Sequence, residues 1–310
     1  MVLLLEKHSH SSKFASKLEK KKHKKEAFLA SLQAFHFKIS DSLHNLEKGS
    51  EFLSLKFVKR CFGLFPLMNR AFSKLVLELD CPVNKWEGSN INEYLNYNLN
   101  MLELLNSLSS CLCHLGQERL PLLHSLQLAE KSPSLAAKYL IKIKPLDVMK
   151  HFKKIKDVKE SEEMKKNSDK ERVIHEALVV MKSISLWVFG IFLSELGSDV
   201  DPYIEMRKLA ARFDDSLLKS LDTKVEKEIL ENKGELKEVK DVNIAADSLL
   251  GALGTTKIEI GVSMLKARLE VLEKLLHELE KETSDLFGEM LAGRNNLLDS
   301  FRLTRKSITD

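Results

Sequence analysis

Residues 258–290 read IEIGVSMLKARLEVLEKLLHELEKETSDLFGEM. Ile258, Val262, Leu265, Leu269, Leu272, Leu276, Leu279, Thr283, Leu286 and Met290 recur at intervals of four and three in turn, the spacing that keeps one stripe of a helix facing a partner. A strand would need apolar residues at every second position. At a rise of ~1.5 Å per residue the segment is a rod on the order of 50 Å long, enough to run along a helical bundle. The spacing does not say whether the partner helix belongs to this chain or another. Because the chain is rich in other amphipathic segments, the expectation is an intramolecular bundle in which 258–290 packs along the amino-terminal helices.

Those segments lie upstream. A first helix is expected from Ser11 or Ser12 to Gly49, with Phe14, Leu18, Leu29, Leu32, Phe35, Ile39, Leu43 and Leu46 as its stripe. A second, 51–79, should be kinked or split by Pro66, which lacks a backbone donor. A third is expected over 91–115, with Gly116 as its C′ residue. A Leu-rich piece around Pro121 follows, then a short helix capped by Ser132 with Pro133 at its first position. A buried helix is expected over 169–196. Asp201-Pro202 should start another that runs through Phe213 and Leu221 toward Gly234, and a shorter one spans 236–253. The fold class is all-α: an elongated multi-helix bundle with a long, heptad-patterned helix at its carboxyl end.

Charge divides the chain. The formal net charge is +4, but residues 1–25 hold eight Lys against Glu6 and Glu19, leaving the remainder net negative. The division expected is a basic arm over 1–25, a helical part over 26–141, a charged linker or solvated helix over 142–170, and a second helical part over 171–310 that packs with 26–141 as one domain. Lys20, Lys21, Lys22, Lys24 and Lys25 would solvate a helix end, attract anionic lipid or act as a targeting signal. With the basic residues confined to this arm, a nucleic-acid face is not expected.

The stretch 177–193, ALVVMKSISLWVFGIFL, is the one candidate membrane span. It is shorter than the ~20 residues a span needs and contains Lys182, so a central bundle helix in a cytoplasmic or peripherally attached protein is expected, with a single-pass protein as the alternative. Val2 to Leu5 is too short for a secretory h-region. The Ser- and Lys-rich opening lacks Arg and carries early glutamates, so a transit peptide is not expected either. Cys61, Cys81, Cys111 and Cys113 show no zinc-ligand spacing and are expected to be core thiols, with Cys111 and Cys113 on different faces of one helix. There is no GxSxG, HExxH or Gly-rich phosphate loop, and Cys113 beside His114 would diverge on a helix. No catalytic, cofactor or metal site is expected.

Residues 77–87, LELDCPVNKWE, followed by Tyr94 and Leu95, resemble the plant BYPASS family. So do Ser109-Ser110, LHSLQLAEKSP at 123–133, the apolar segment led by Arg172-Val173, and LAGRNNLL at 291–298. Within these motifs the residues singled out are Pro82, Val83, Trp86, Glu87, Tyr94, Gly293 and Arg294. The chain departs from the family pattern in Cys81, the Lys-rich opening and the charged middle. The resemblance implies a helical, non-enzymatic regulator of root and shoot development that restrains a mobile root-derived signal, with a protein partner of unknown identity. A related branch, the ROH proteins, is linked to the exocyst and implies the alternative of a trafficking adaptor with an exocyst component as partner. Pro82 and Trp86 read best as a structural plug, proline fixing a turn while the indole covers a helix end.

Overall fold

A computed structural model describes residues 3–48, 51–82, 86, 88–144, 146, 168–210 and 216–309. These form an all-α bundle with no strand among the described residues: α1 (Leu3–Glu47), α2 (Leu55–Phe62), α3 (Leu64–Glu78), α4 (Gly88–Leu128), α5 (Pro133–Tyr139), α6 (Asp169–Gly197), α7 (Asp201–Ala210), α8 (Ser216–Glu231), α9 (Lys237–Ala252) and α10 (Ile258–Thr309). Most of the span 142–170 assigned to a linker lies outside the described residues.

α6 is the axis of the bundle, in contact with α1, α2, α3, α4 and α7. Its start is fixed by a capping box: the Ser168 side chain accepts from the Glu171 amide, and the Glu171 carboxylate reaches back to the Ser168 amide. From Ser183 to Leu196 every residue is buried, so the helix is covered on all faces, as its nearly unbroken apolar sequence demands. By length and composition α6 could cross a membrane, and 89% of its most apolar window is buried in this bundle. Gly190 lets α7 come close, since a Cβ there would lie 2.9 Å from Met206 Cβ and 3.3 Å from Tyr203 Cα.

α10 carries the seam. Leu265, Leu269, Leu272, Leu276, Leu279, Thr283, Leu286 and Met290 are buried, and Ile258 and Val262 are partly so. Its partners are intramolecular, α4, α9 and α2, while α1 packs instead on α3, α6 and α8. Arg119–Glu273, Lys59–Glu278 and Arg268–Asp241 pairs flank the seam at 2.7, 2.7 and 3.3 Å.

Several boundaries differ from the sequence expectation. α1 already includes Leu3–Leu5 rather than starting at Ser11 or Ser12, and Leu29 is exposed where Phe28 packs on the core instead. The break in 51–79 falls at Gly63, which closes α2 and opens α3; Pro66 sits in the first turn of α3, where its missing N–H has no helical acceptor to lose. Neither Gly116 nor Pro121 ends α4, which runs on to Leu128. Buried Leu115 and Leu122 and the Arg119–Glu273 pair hold that stretch, and tertiary packing outweighs the ~3 kcal/mol cost of an internal proline. The helix begun at Asp201 does not continue toward Gly234 as one rod, because Arg207 pairs with Asp222, 15 residues on, at 2.6 Å. A single helix would hold those residues ~22 Å apart, so α7 and α8 lie side by side.

Candidate functional site

The motif stretch 77–87 builds the end of α3. The Asp80 amide donates to Leu77 O at 3.0 Å and the Cys81 amide to Val76 O at 3.4 Å, with Asp80 at φ 45°. That is a Schellman cap with aspartate in the left-handed position usually given to glycine or asparagine. Pro82 follows, exposed, where it cannot extend the helix. Trp86 folds back: its Nε1–H donates to Cys81 O at 2.8 Å and its ring is buried. It meets Phe72 and Tyr94 edge-on at 6.0 and 5.8 Å, and those two rings stack at 5.9 Å. The indole therefore plugs the helix end, as the proline-tryptophan spacing suggested. Lys170, at the amino end of α6, donates to Asp80 O at 3.1 Å and stands over the Phe28 ring at 5.6 Å, tying α1, α3 and α6 at this end of the bundle.

Beside the plug lies a groove of about 450 Å³, lined by Phe72, Val76, Leu77, Cys81, Pro82 and Tyr94 among others. Leu77 on its rim is 79% exposed. The motif residues are therefore partly reunited: Pro82, Trp86 and Tyr94 converge here, while Val83 and Glu87 lie outside the described residues. Gly293 is exposed and Arg294 half-buried on α10, past the end of its buried seam. Lys22, Lys24 and Lys25 are exposed on α1; the backbone of Lys20 and Lys21 belongs to the same helix.

A second groove, about 880 Å³, separates α2 and α3 from α10. Lys59 bridges it to Glu278 at 2.7 Å and Glu282 at 3.5 Å, which lowers the Glu278 pKa through that hydrogen bond. Arg60 Nη2 donates to the carbonyls of Asn45, Leu46 and Lys48 at 2.5, 3.1 and 3.1 Å, closing the end of α1 with a positive charge.

The buried polar groups serve the fold. Asp222 Oδ1 accepts from Trp187 Nε1 at 2.7 Å and from the Tyr203 hydroxyl, while Oδ2 accepts from Arg207 Nε at 2.6 Å; Arg207 also pairs with Glu226. Burial first, then the Asp222 hydrogen bond, pushes the Tyr203 pKa upward, so the phenol stays a donor. Cys61, Cys81 and Cys111 are buried as expected, whereas Cys113 is exposed, because α4 turns it away from the face that buries Cys111. Burial raises the Cys111 pKa to about 12, so that thiol is no nucleophile at neutral pH. No metal-binding group of His, Cys, Asp or Glu occurs among the described residues.

Glu195 and Glu238 escaped the sequence reading. Glu195 is buried, and burial followed by repulsion from Glu238 raises its pKa well above the carboxylate range. Glu238 is raised mainly by burial, and it accepts from the Leu55 amide at 3.0 Å, the first residue of α2. Next to it the Lys237 amide donates to Leu53 O at 2.8 Å. The signal for Glu195 was its place in the apolar run IFLSEL, 191–196. A folded-state carboxyl pKa above the unfolded value means the folded protein holds a proton that the unfolded chain releases, so stability falls as pH rises from ~4.5 through the folded pKa. Glu195→Gln should therefore raise the melting temperature at pH 8 and leave it nearly unchanged at pH 4, read by thermal melts across that range.

The family model described as Protein BPS1 matches residues 83–299, in agreement with the BYPASS resemblance. Two rice proteins named UPF0496 protein 4, from Oryza sativa subsp. japonica and indica, are each 23% identical over 234 residues, 69% of this chain and 51% of the relative. The chain thus spans about half the length of these two relatives. Protein BPS1, chloroplastic, of Arabidopsis thaliana is 25% identical over 298 residues, 87% of this chain and 83% of the relative. No solved structure matches.

Proposed function

Because this chain belongs to the BPS1 family, we propose that it is a plant regulator of root and shoot development that works by binding other proteins and not by catalysis. The finer role proposed is restraint of a mobile root-derived signal that arrests the shoot. The observation that carries the interaction reading is the groove beside the Trp86 plug: an apolar side chain, Leu77, is 79% exposed on the rim of a cleft built from the family-like motif. An exposed leucine beside a preformed apolar cleft fits an apolar anchor from a partner protein. The engagement of Asp222, Tyr203 and Arg207 in one internal network supports the non-enzymatic part of the reading.

A second reading, an adaptor joining an exocyst component to vesicle traffic, is favoured by the way α1 leaves the bundle: Lys22 to Ala27 are exposed on every side. For either reading we place the protein in the cytoplasm. The Arabidopsis relative, by contrast, is named chloroplastic.

Leu77→Glu tests the interaction reading. The variant should fold as the parent does, since its side chain is solvated, yet lose at least about tenfold of the parent's proximity-labelling yield for its specific partners in roots. It should also fail to complement a loss-of-function plant. Full complementation by a stably expressed Leu77→Glu protein would reject the groove as the working surface.

A further inference from the structure

α1 and α3 lie side by side and run in opposite directions. Lys170 stands 5.6 Å over the Phe28 ring of α1 and donates to Asp80 O, just past the end of α3, while Arg60, just before α3, reaches the carbonyls of Asn45, Leu46 and Lys48 at the far end of α1. Between the two helices lies a third groove, of about 780 Å³. Phe35, Leu67, Ala71 and Leu75 line its floor and belong to the core or pack on it. On its α1 rim Phe37 is 73% exposed, a value exceeded among the large apolar side chains of the described residues only by Leu77.

Both walls of this groove are basic. Lys38 stands on the α1 wall and Arg70 and Lys74 on the α3 wall, all exposed, against one lining carboxylate, Glu78, which Lys74 already holds at 3.7 Å. Lys38 and Arg70 pair with no carboxylate among the described residues. The larger groove between α2 and α10 differs: four cations there, Lys59 among them, face four carboxylates, and Lys59 bridges the walls. That groove is balanced, whereas the α1–α3 groove sets an uncompensated positive field over an apolar floor.

The shape suits a helix. From Leu67 to Glu78 the α3 wall makes three turns, about 17 Å at ~1.5 Å per residue, and two helices packed side by side leave between them a channel in which a third can lie. A bilayer is flat and would meet the rim but not the floor. A phosphate backbone offers nothing apolar to Phe37 or Leu67. We propose that this groove receives an acidic amphipathic helix of a partner protein, its apolar residues at every third or fourth position resting on Phe37, Leu67 and Ala71, and its carboxylates set between Lys38 on one wall and Arg70 and Lys74 on the other. Leu77 is not among the lining residues, so the proposal does not rest on the cleft beside Trp86.

The test is fluorescence anisotropy of the full chain with a labelled peptide of about 18 residues, long enough to form a helix in isolation, with Leu along one face and Glu and Ala elsewhere, set against the same peptide with Lys in place of Glu. At low salt the Glu peptide is expected to bind at least about tenfold more tightly than the Lys peptide. Lys38→Glu with Arg70→Glu should weaken the Glu peptide at least about tenfold and leave the Lys peptide no weaker, and Phe37→Ala should weaken the Glu peptide about fivefold. These three side chains are exposed, so thermal melts should match the parent. Leu77→Ala should leave the binding unchanged, and a loss there would overturn the independence of the two surfaces. Equal binding of the two peptides overturns the acidic occupant. A Glu peptide indifferent to Lys38→Glu with Arg70→Glu binds elsewhere on the chain and overturns the site. Self-association of the parent in sedimentation equilibrium, abolished by Phe37→Ala, assigns the groove to a second copy and overturns the partner helix.

Discussion

Asp222→Ala should lower the stability of the fold by roughly 2–4 kcal/mol, the largest effect expected of any single polar substitution in this chain. One carboxylate holds three donors on two other helices: the Trp187 indole of α6, and the Tyr203 hydroxyl and Arg207 guanidinium of α7. Alanine leaves the buried indole N–H without an acceptor and the phenol with only the main-chain carbonyl of position 222, 3.3 Å away. Arg207 loses less, because its side chain is 39% exposed and can turn to water. Asp222→Asn, which keeps an acceptor oxygen, should recover about half of the loss. Chemical denaturation of the parent and both variants checks this; an alanine variant within 1 kcal/mol of the parent, a threshold of about one ordinary hydrogen bond, would remove the network from the account of why α8 docks.

Cutting the chain to 83–299, the stretch matched by the family model, should yield a protein that is insoluble or lacks a cooperative melt. The cut removes α1, α2 and α3, and all three pack on α6. Phe62 stacks on Phe192 at 5.1 Å and Phe65 lies 5.3 Å from Phe189, so the fragment would bare aromatic rings buried in the intact chain. At ~25 cal/mol per Å², and 150–250 Å² for each aromatic ring, the bared surface outweighs ordinary domain stability within a few residues. Size-exclusion chromatography and a melting curve on the fragment decide it: a monodisperse, cooperatively melting fragment would mean that α1–α3 are an accessory layer.

The seam of α10 was legible because a four-three repeat is a local pattern that directly becomes a face of a helix. Pro82 and Trp86 were legible as a plug because the roles of proline after a helix and of a two-ended indole follow from their covalent structure. Gly116 misled for the converse reason: a helix stop signal is a local preference of ~1 kcal/mol, and the packing of Leu115 and Leu122 is a tertiary quantity. The side-by-side arrangement of α7 and α8 depends on Arg207 meeting Asp222 and Glu226, three residues unremarkable in a sequence with 49 basic and 45 acidic side chains. Asp80 in the left-handed cap was hidden because glycine is the usual sign of that conformation.

The clasp of Leu53 and Leu55 on Lys237 and Glu238 also bears on how the protein is made. Glu238 follows its hydrogen-bond partner Leu55 by 183 residues. At ~5–20 residues per second on the ribosome, about 10–40 s separate their synthesis. For most of that interval α2 and α3 are outside the exit tunnel with Phe57, Phe62, Phe65 and Met68, all buried in the finished bundle, waiting for α6 and α9. A nascent chain in that condition exposes apolar surface of the kind that aggregates unless it is held apart.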